Sequence, residues 1–253
     1  MRPKIALITG ATSGIGQATA EVFADHQIDL IVCGRRAERL DALEKTLQNK
    51  VNIHKLVFDV RDREVVLEKI ASLPAEWQNI DILVNNAGNA HGLAPFHESD
   101  IDDWDAMLDI NVKGLLYVSK AVVPGMVARQ QGHIVNIGSI AGKEVYPKGH
   151  VYCASKYAVD AINQGMRIDL HSHNIRVSAI NPGLVNTEFS AVRFKGDQEK
   201  ADLAYKGLQP LLARDIAEII AFVVTRPAHV NIADLLVLPT AQASATVVDR
   251  RLG

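Results

Sequence analysis

Ile5-Ala6-Leu7-Ile8-Thr9-Gly10-Ala11-Thr12-Ser13-Gly14-Ile15-Gly16 is the stretch on which the fold turns. Its first five residues form an apolar run of strand length, and the glycine-rich turn that follows opens directly into helical spacing from Ala18 to Phe23. Glycines let a backbone turn tightly and approach a pyrophosphate, and a helix start offers free N–H groups and a positive dipole end to the same ligand. The spacing is G-x-x-x-G-x-G, whereas the common dinucleotide fingerprint is G-x-G-x-x-G. Placement between strand and helix therefore carries the reading, which makes Gly10, Thr12, Ser13, Gly14, Ile15 and Gly16 candidate phosphate-site residues. Taken as letters alone, the motif also fits a bare strand-to-helix turn.

Working outward, short β-branched runs recur at Leu30–Cys33, Ile53–Phe58, Ile82–Val84, Ile134–Ile137, Val177–Ile180 and Leu235–Leu238. Helical spacing fills the gaps at Arg39–Leu47, Val65–Ile70, Trp104–Met126, Ala154–Leu170 and Ile216–Val224. This alternation predicts an α/β fold, a Rossmann-type doubly wound parallel sheet of about seven strands with helices on both faces. No linker, repeat or low-complexity tract divides the chain, so residues 1–253 are expected to form one domain. The least regular stretch, about 184–207, is expected to be a lid or binding loop.

Composition removes several classes. Twenty-seven Lys and Arg against 29 Asp and Glu leave no basic field to gather nucleic acid or an anionic membrane. No apolar run approaches the roughly 18 residues of a membrane span, and the N-terminus lacks the pattern of a signal peptide. The two cysteines, Cys33 and Cys153, do not make a disulfide framework, and a cytoplasmic location is expected.

At the end of the second strand an acid normally binds the adenosine ribose hydroxyls of NAD, about 20 residues past the glycines. Here the chain reads Cys33-Gly34-Arg35-Arg36. Two guanidinium groups in place of the acid favour the 2′-phosphate of NADP, through charge-assisted hydrogen bonds. The same arginines also suit the solvated start of a helix. Asp59, ending the third strand, suits either the adenine amino group or an N-cap near Arg61.

Tyr152 and Lys156 lie four residues apart at the start of a helical run and so share a face. A phenol of ordinary pKa near 10 is a poor base at neutral pH, and a neighbouring cation stabilises the phenolate. Thirteen residues earlier, Ser139 follows the fifth strand, where a hydroxyl faces the ligand crevice of an open sheet. No Gly-x-Ser-x-Gly elbow surrounds Ser139, which argues against a hydrolase nucleophile. His171 and His173 have no second cluster at ligand spacing, so no metal is expected.

With these residues in view, the chain resembles the short-chain dehydrogenase/reductase superfamily over nearly its whole length. The resemblance rests on Thr9-Gly10 through Gly16, Asn85-Asn86-Ala87-Gly88, Asn111 through Gly114, Ser139, Tyr152 with Lys156, and Pro182-Gly183 with Thr187, in that order. It implies that Tyr152 is the acid/base, Lys156 lowers its pKa and holds the nicotinamide ribose, Ser139 orients the reacting oxygen, and Asn111 anchors a proton-relay water. It also places Asn86 and Gly88 along the adenosine and ribose and Thr187 on the carboxamide, and it extends the cofactor set to Val60, Ala87, Pro182, Gly183 and Val185. A homotetramer is implied as well.

A narrower resemblance is to the NADP-dependent 3-hydroxy acid dehydrogenases, or serine 3-dehydrogenases. It is carried by Gly34-Arg35-Arg36, by Pro182 through Phe189, by Val192 through Asp197 and by Pro227 through Asn231. It implies a serine or allo-threonine type substrate, with sulfoacetaldehyde and malonic semialdehyde as alternatives. Residues 141–150, with Lys143, Lys148 and His150, depart from that branch and are expected to border the substrate. Arg193 is the candidate for holding an acidic group, and its competing reading is a lid-surface pair with Asp197 or Glu199. A neutral ketone substrate, or a dinucleotide-binding protein without turnover, stays as an alternative.

Overall fold

The computed structural model describes residues 3–251. Seven parallel strands form one sheet: β1 (Ile5–Thr9), β2 (Asp29–Gly34), β3 (Ile53–Val57), β4 (Ile82–Asn85), β5 (Gly132–Ile137), β6 (Ile175–Pro182) and, last in the chain, β9 (Asp234–Val237). Their order is β3-β2-β1-β4-β5-β6-β9. The chain runs outward from β1 in one direction, then returns to β4 on its other side, so the order reverses between β1 and β4 and a crevice opens beyond their C-terminal ends.

Alternation within β1 builds both layers of the core. Ala6 and Ile8 pack with Phe23 of α1 (Gly14–Asp25), Leu40 of α2 (Ala37–Leu47) and Ile220 of α9 (Ala213–Val224). Ile5 and Leu7 face the other way, toward Val66 of α3 (Arg63–Ala71) and Val118 and Met126 of α5 (Leu115–Arg129). Residues buried on both faces of a parallel sheet read as continuous apolar runs, which is why β1 and β2 stand out in the sequence.

Two regions differ from the sequence expectation. The single helical segment expected from Trp104 to Met126 is broken into α4 (Ile101–Leu108), a π-helical turn at Asp109–Gly114, and α5. Widened turns of this kind gather at functional sites, and this one carries Asn111. Residues 184–207 are more ordered than a loop. They hold β7 (Val185–Asn186), which pairs with β8 (Leu211–Leu212), and the short helices α7 (Phe189–Arg193) and α8 (Gln198–Leu203). Asp197 starts α8 by accepting the Lys200 N–H at 3.1 Å. The remaining long helix is α6 (His150–Leu170). Among the described residues, no helix is long and apolar enough to cross a membrane.

Candidate active site

The glycine-rich turn is held by close backbone packing. Gly10 has φ +66°, and a Cβ on Gly16 would stand 2.3 Å from the Gly10 carbonyl oxygen, so neither position tolerates an ordinary side chain in this geometry. Thr9 and Asn86 lock the turn to the end of β4. The Thr9 hydroxyl accepts the N–H groups of Asn86 and Ala87, each at 3.0 Å, and the Asn86 amide donates to the Thr9 carbonyl at 2.9 Å. Above this platform the first turn of α1 carries no acidic residue, and Ser13 makes no side-chain cap. The helix-start N–H groups therefore face the cavity without a competing anion.

Gly34 explains why no acid ends β2, since a Cβ there would lie 2.5 Å from Thr12 Cγ2. The two neighbouring arginines behave differently. Arg36 lies along the turn, donating through Nη2 to Ser13 Oγ at 2.9 Å and Thr12 Oγ1 at 3.1 Å. Arg35 is more exposed, with Nη1 3.6 Å from Asp59. Asp59 is held mainly by Arg61, at 2.7 Å from Nη2. Burial pushes the Asp59 carboxyl up, but the Arg61 hydrogen bonds and charge outweigh it and leave it below its ordinary value. The cap of α3 is Asp62, whose carboxylate accepts the Val65 N–H at 3.2 Å, so the N-cap alternative for Asp59 does not apply.

Tyr152, Lys156 and Ser139 meet at the other end of the crevice. Tyr152 and Lys156 are buried on one face of α6, with Lys156 Nζ 6.0 Å from the Tyr152 ring centroid. Ser139, two residues past β5, lies close enough to the Tyr152 phenol to favour its ionised form and accepts the Ala141 N–H at 3.1 Å. Burial raises the Tyr152 pKa, and Arg193 and Ser139 only partly pull it back, so the phenol holds its proton at neutral pH. Lys156 is moved the opposite way. Burial lowers its pKa from 10.5 to about 8, and its ammonium donates to the Ile137 carbonyl at 2.9 Å. Asn111 sits one layer deeper: it accepts the Asn89 N–H and donates to the Asn89 carbonyl, both at 2.8 Å, and donates to Ser155 Oγ at 3.0 Å.

One cavity of about 740 Å³ joins the two ends. Every residue nominated for cofactor or substrate contact lines it except Gly16, which lies beneath the turn; of the four catalytic candidates, only Asn111 is set back from the wall. Arg193 stands over the Tyr152 ring, its guanidinium carbon 4.9 Å from the ring centroid, and donates to the Tyr146 hydroxyl at 2.8 Å. Neither Asp197 nor Glu199 reaches it; Asp197 pairs with Lys200 at 2.8 Å. The other basic groups expected near the substrate do not line this cavity. Lys143 is tied to Asp160 at 2.7 Å and Asp234 at 2.6 Å. Lys148 and His150 stay close to it, in a smaller neighbouring cavity of about 240 Å³ that shares Tyr146, Tyr152 and Arg193. His171 and His173 lie on the surface beyond α6.

Three residues escape a reading of the sequence. Tyr146 has no motif around it, and only the fold brings its hydroxyl to Arg193. Arg39 lies in the first turn of α2, and Glu188 is the acid between Thr187 and Phe189; each looks like ordinary surface charge, yet they pair at 2.6 Å.

The short chain dehydrogenase family profile matches residues 4–198. NADP-dependent 3-hydroxy acid dehydrogenase YdfG of Salmonella typhi is 49% identical over 242 residues, covering 95% of this chain and 97% of that protein. Sulfoacetaldehyde reductase 2 of Chromohalobacter salexigens is 46% identical over 248 residues, covering 97% and 98%. Among solved structures, the closed form of serine dehydrogenase complexed with NADP+ superposes with a TM-score of 0.91 at 48% identity, covering 95% and 97%. With the sheet order, the Tyr152–Lys156–Ser139 cluster and these matches together, the chain belongs to the short-chain dehydrogenase family of oxidoreductases.

Proposed function

We propose that the protein is an NADP-dependent oxidoreductase that moves a hydride between the nicotinamide and a small 3-hydroxy acid of the serine or allo-threonine type, or the corresponding carbonyl compound. The chain acts as one domain, with residues 184–207 as its substrate lid. The residues present suit the cofactor. Gly16 leaves the backbone bare beneath a pyrophosphate, Gly34 excludes an acid, and Arg36 lies across the Thr12 and Ser13 hydroxyls, where a 2′-phosphate gains charge-assisted hydrogen bonds.

When bound, NADP supplies the hydride acceptor, and NADPH the hydride donor. The chain's own residues handle the proton. In the reducing direction Tyr152 gives its phenolic proton to the substrate oxygen, which Ser139 orients by a hydrogen bond; in the oxidising direction Tyr152 takes the proton back. Lys156, held by the Ile137 carbonyl, places a positive charge beside the ring and is within its titration range near pH 8. Asn111 fixes the Asn89 backbone next to Gly88, whose missing side chain leaves room for Asn111 Oδ1 and Lys156 Nζ.

The observation that carries the acidic-substrate reading is Arg193, a half-buried guanidinium over the catalytic phenol with no carboxylate partner among the described residues. A carboxylate or sulfonate would complete its hydrogen bonding. Arg193→Ala is expected to raise KM for acidic substrates by about tenfold while leaving uncharged aldehydes within about twofold. Parallel changes on both substrate types would remove the claim and favour a neutral ketone. A second reading, reduction of a small acidic aldehyde such as sulfoacetaldehyde, is supported by the 46% identical reductase. An NADPH-oxidation screen over small acids, aldehydes and ketones separates the two.

A further inference from the structure

The adenosine end of the cavity holds a charge arrangement that phosphate recognition does not require. Glu188 is the residue from which α7 starts. Its two carboxylate oxygens are divided between two arginines, Oε2 accepting from Arg36 Nη1 at 3.1 Å and Oε1 from Arg39 Nη1 at 2.6 Å. Arg39 also donates to the Thr12 carbonyl at 3.3 Å, so both guanidinium groups touch the glycine-rich turn and the lid at once. The preceding residue seats the lid on the turn: a Cβ built on Gly14 would meet Thr187 Cβ at 3.3 Å. Arg39, aided by Arg36 and only partly opposed by burial, holds the Glu188 carboxyl below its ordinary value, which keeps the pair charged. At the other end of the same short helix, Arg193 reaches the Tyr152 ring, and its carbonyl accepts the Gly92 N–H at 2.9 Å. Five helical residues thus connect the arginines of the adenosine end to the substrate end.

We propose that Glu188 is a positioning residue that latches the lid to Arg36 and Arg39, so that the guanidinium groups at the adenosine end also set how firmly the lid closes over cofactor and substrate. The proposal rests on the NADP reading in taking the neighbouring ligand to be a 2′-phosphate. An anion placed beside a phosphate site makes two opposite predictions, and this is what makes the latch testable. If Glu188 only adds negative charge near the phosphate, neutralising it relieves repulsion and slows NADPH release. If it is a latch, neutralising it loosens the lid and speeds release.

The experiment is stopped-flow release of NADPH, followed by its fluorescence, from wild type, Glu188→Gln, Arg39→Ala and the double variant, with thermal melts to check folding. Each single variant is expected to release NADPH about three- to fivefold faster, the scale set by partly exposed ion pairs. The double variant should be no faster than the faster single variant, because the pair acts as one unit. KM for an acidic substrate should rise with the release rate while the melting temperature holds. Arg39→Gln replaces Arg39→Ala if the latter loosens α2. Slower release, unchanged release, or additive effects in the double variant would overturn the latch. Arg36→Ala separates the two readings: equal losses of NADPH and NADH binding sink the NADP reading, while the Glu188/Arg39 cycle is still decided with NADH as the probe.

Discussion

At the adenosine end the cavity wall is largely backbone from one contiguous turn, Gly10 to Ile15, buttressed by Thr9 and Asn86, with half-exposed arginines around its rim. At the substrate end the wall is side chains drawn from separate segments: Ser139 after β5, Tyr146 in the following loop, Tyr152 and Lys156 on α6, and Phe189 and Arg193 on α7. Ser139, Tyr152 and Lys156 are buried there, and burial dominates titration, raising Tyr152 and lowering Lys156. Exposed groups at the first end are screened by solvent, so single substitutions there should have modest effects. Buried groups at the second end have no such cushion.

The largest expected effect tests the buried end. Tyr152→Phe removes the proton-transfer group and keeps the ring, so kcat should fall by about a thousandfold. NADPH affinity, measured by fluorescence titration, should stay within about twofold of wild type. Near wild-type turnover would end the catalytic assignment and erase the contrast.

Next comes Lys156, where pH separates the two ends. Burial lowers its pKa from 10.5 to about 8, so between those values the unfolded chain binds more protons than the folded one. This group therefore makes stability rise as pH goes from about 8 toward 10.5, and below pH 8 its buried charge costs about 3 kcal/mol. Lys156→Met should remove that rise and leave the cofactor-free protein more stable at pH 7, by about 1–3 kcal/mol after loss of the bond to the Ile137 carbonyl. Denaturant unfolding across this pH range is the check. A variant that keeps the wild-type pH dependence would show that Lys156 is not desolvated.

The smallest effect sharpens the exposed end. Arg36 lies on Thr12 and Ser13, while Arg35 stands near Asp59 and is 60% exposed. Arg36→Ala should weaken NADPH about tenfold more than NADH, and Arg35→Ala should change that preference by less than about threefold. Equal effects would mean that the rim does not distinguish the two guanidinium groups.

The same contrast governs what could be read in advance. β1, the glycine turn and α1 are contiguous, and their burial and turn chemistry are local, so the first strand–turn–helix unit and the α/β alternation were legible. The i, i+4 spacing of Tyr152 and Lys156 was legible for the same reason. The π-helical break at Asp109–Gly114 was not. Its apolar spacing still fits a continuous helix, and what accompanies the wider turn is Asn111 bonding the backbone of Asn89, 22 residues away. Arg193 stands out in the sequence by its place in the lid, but only the fold excludes its competing pairing with Asp197, which Lys200 and the cap of α8 engage instead.

By itself the amino-acid sequence determined the alternation of strands and helices, the bare glycine backbone at the phosphate site and the absence of an acid after β2, because each depends on residues within a few positions of one another. Tertiary structure decided the rest. It separated Arg36 from Arg35, turned Lys143 away to Asp160 and Asp234, brought Tyr146 to Arg193 across 47 positions, and joined Glu188 to Arg39 across 149. Charge and hydrogen bonding act over ångströms, and only the folded sheet determines which distant side chains come within that range.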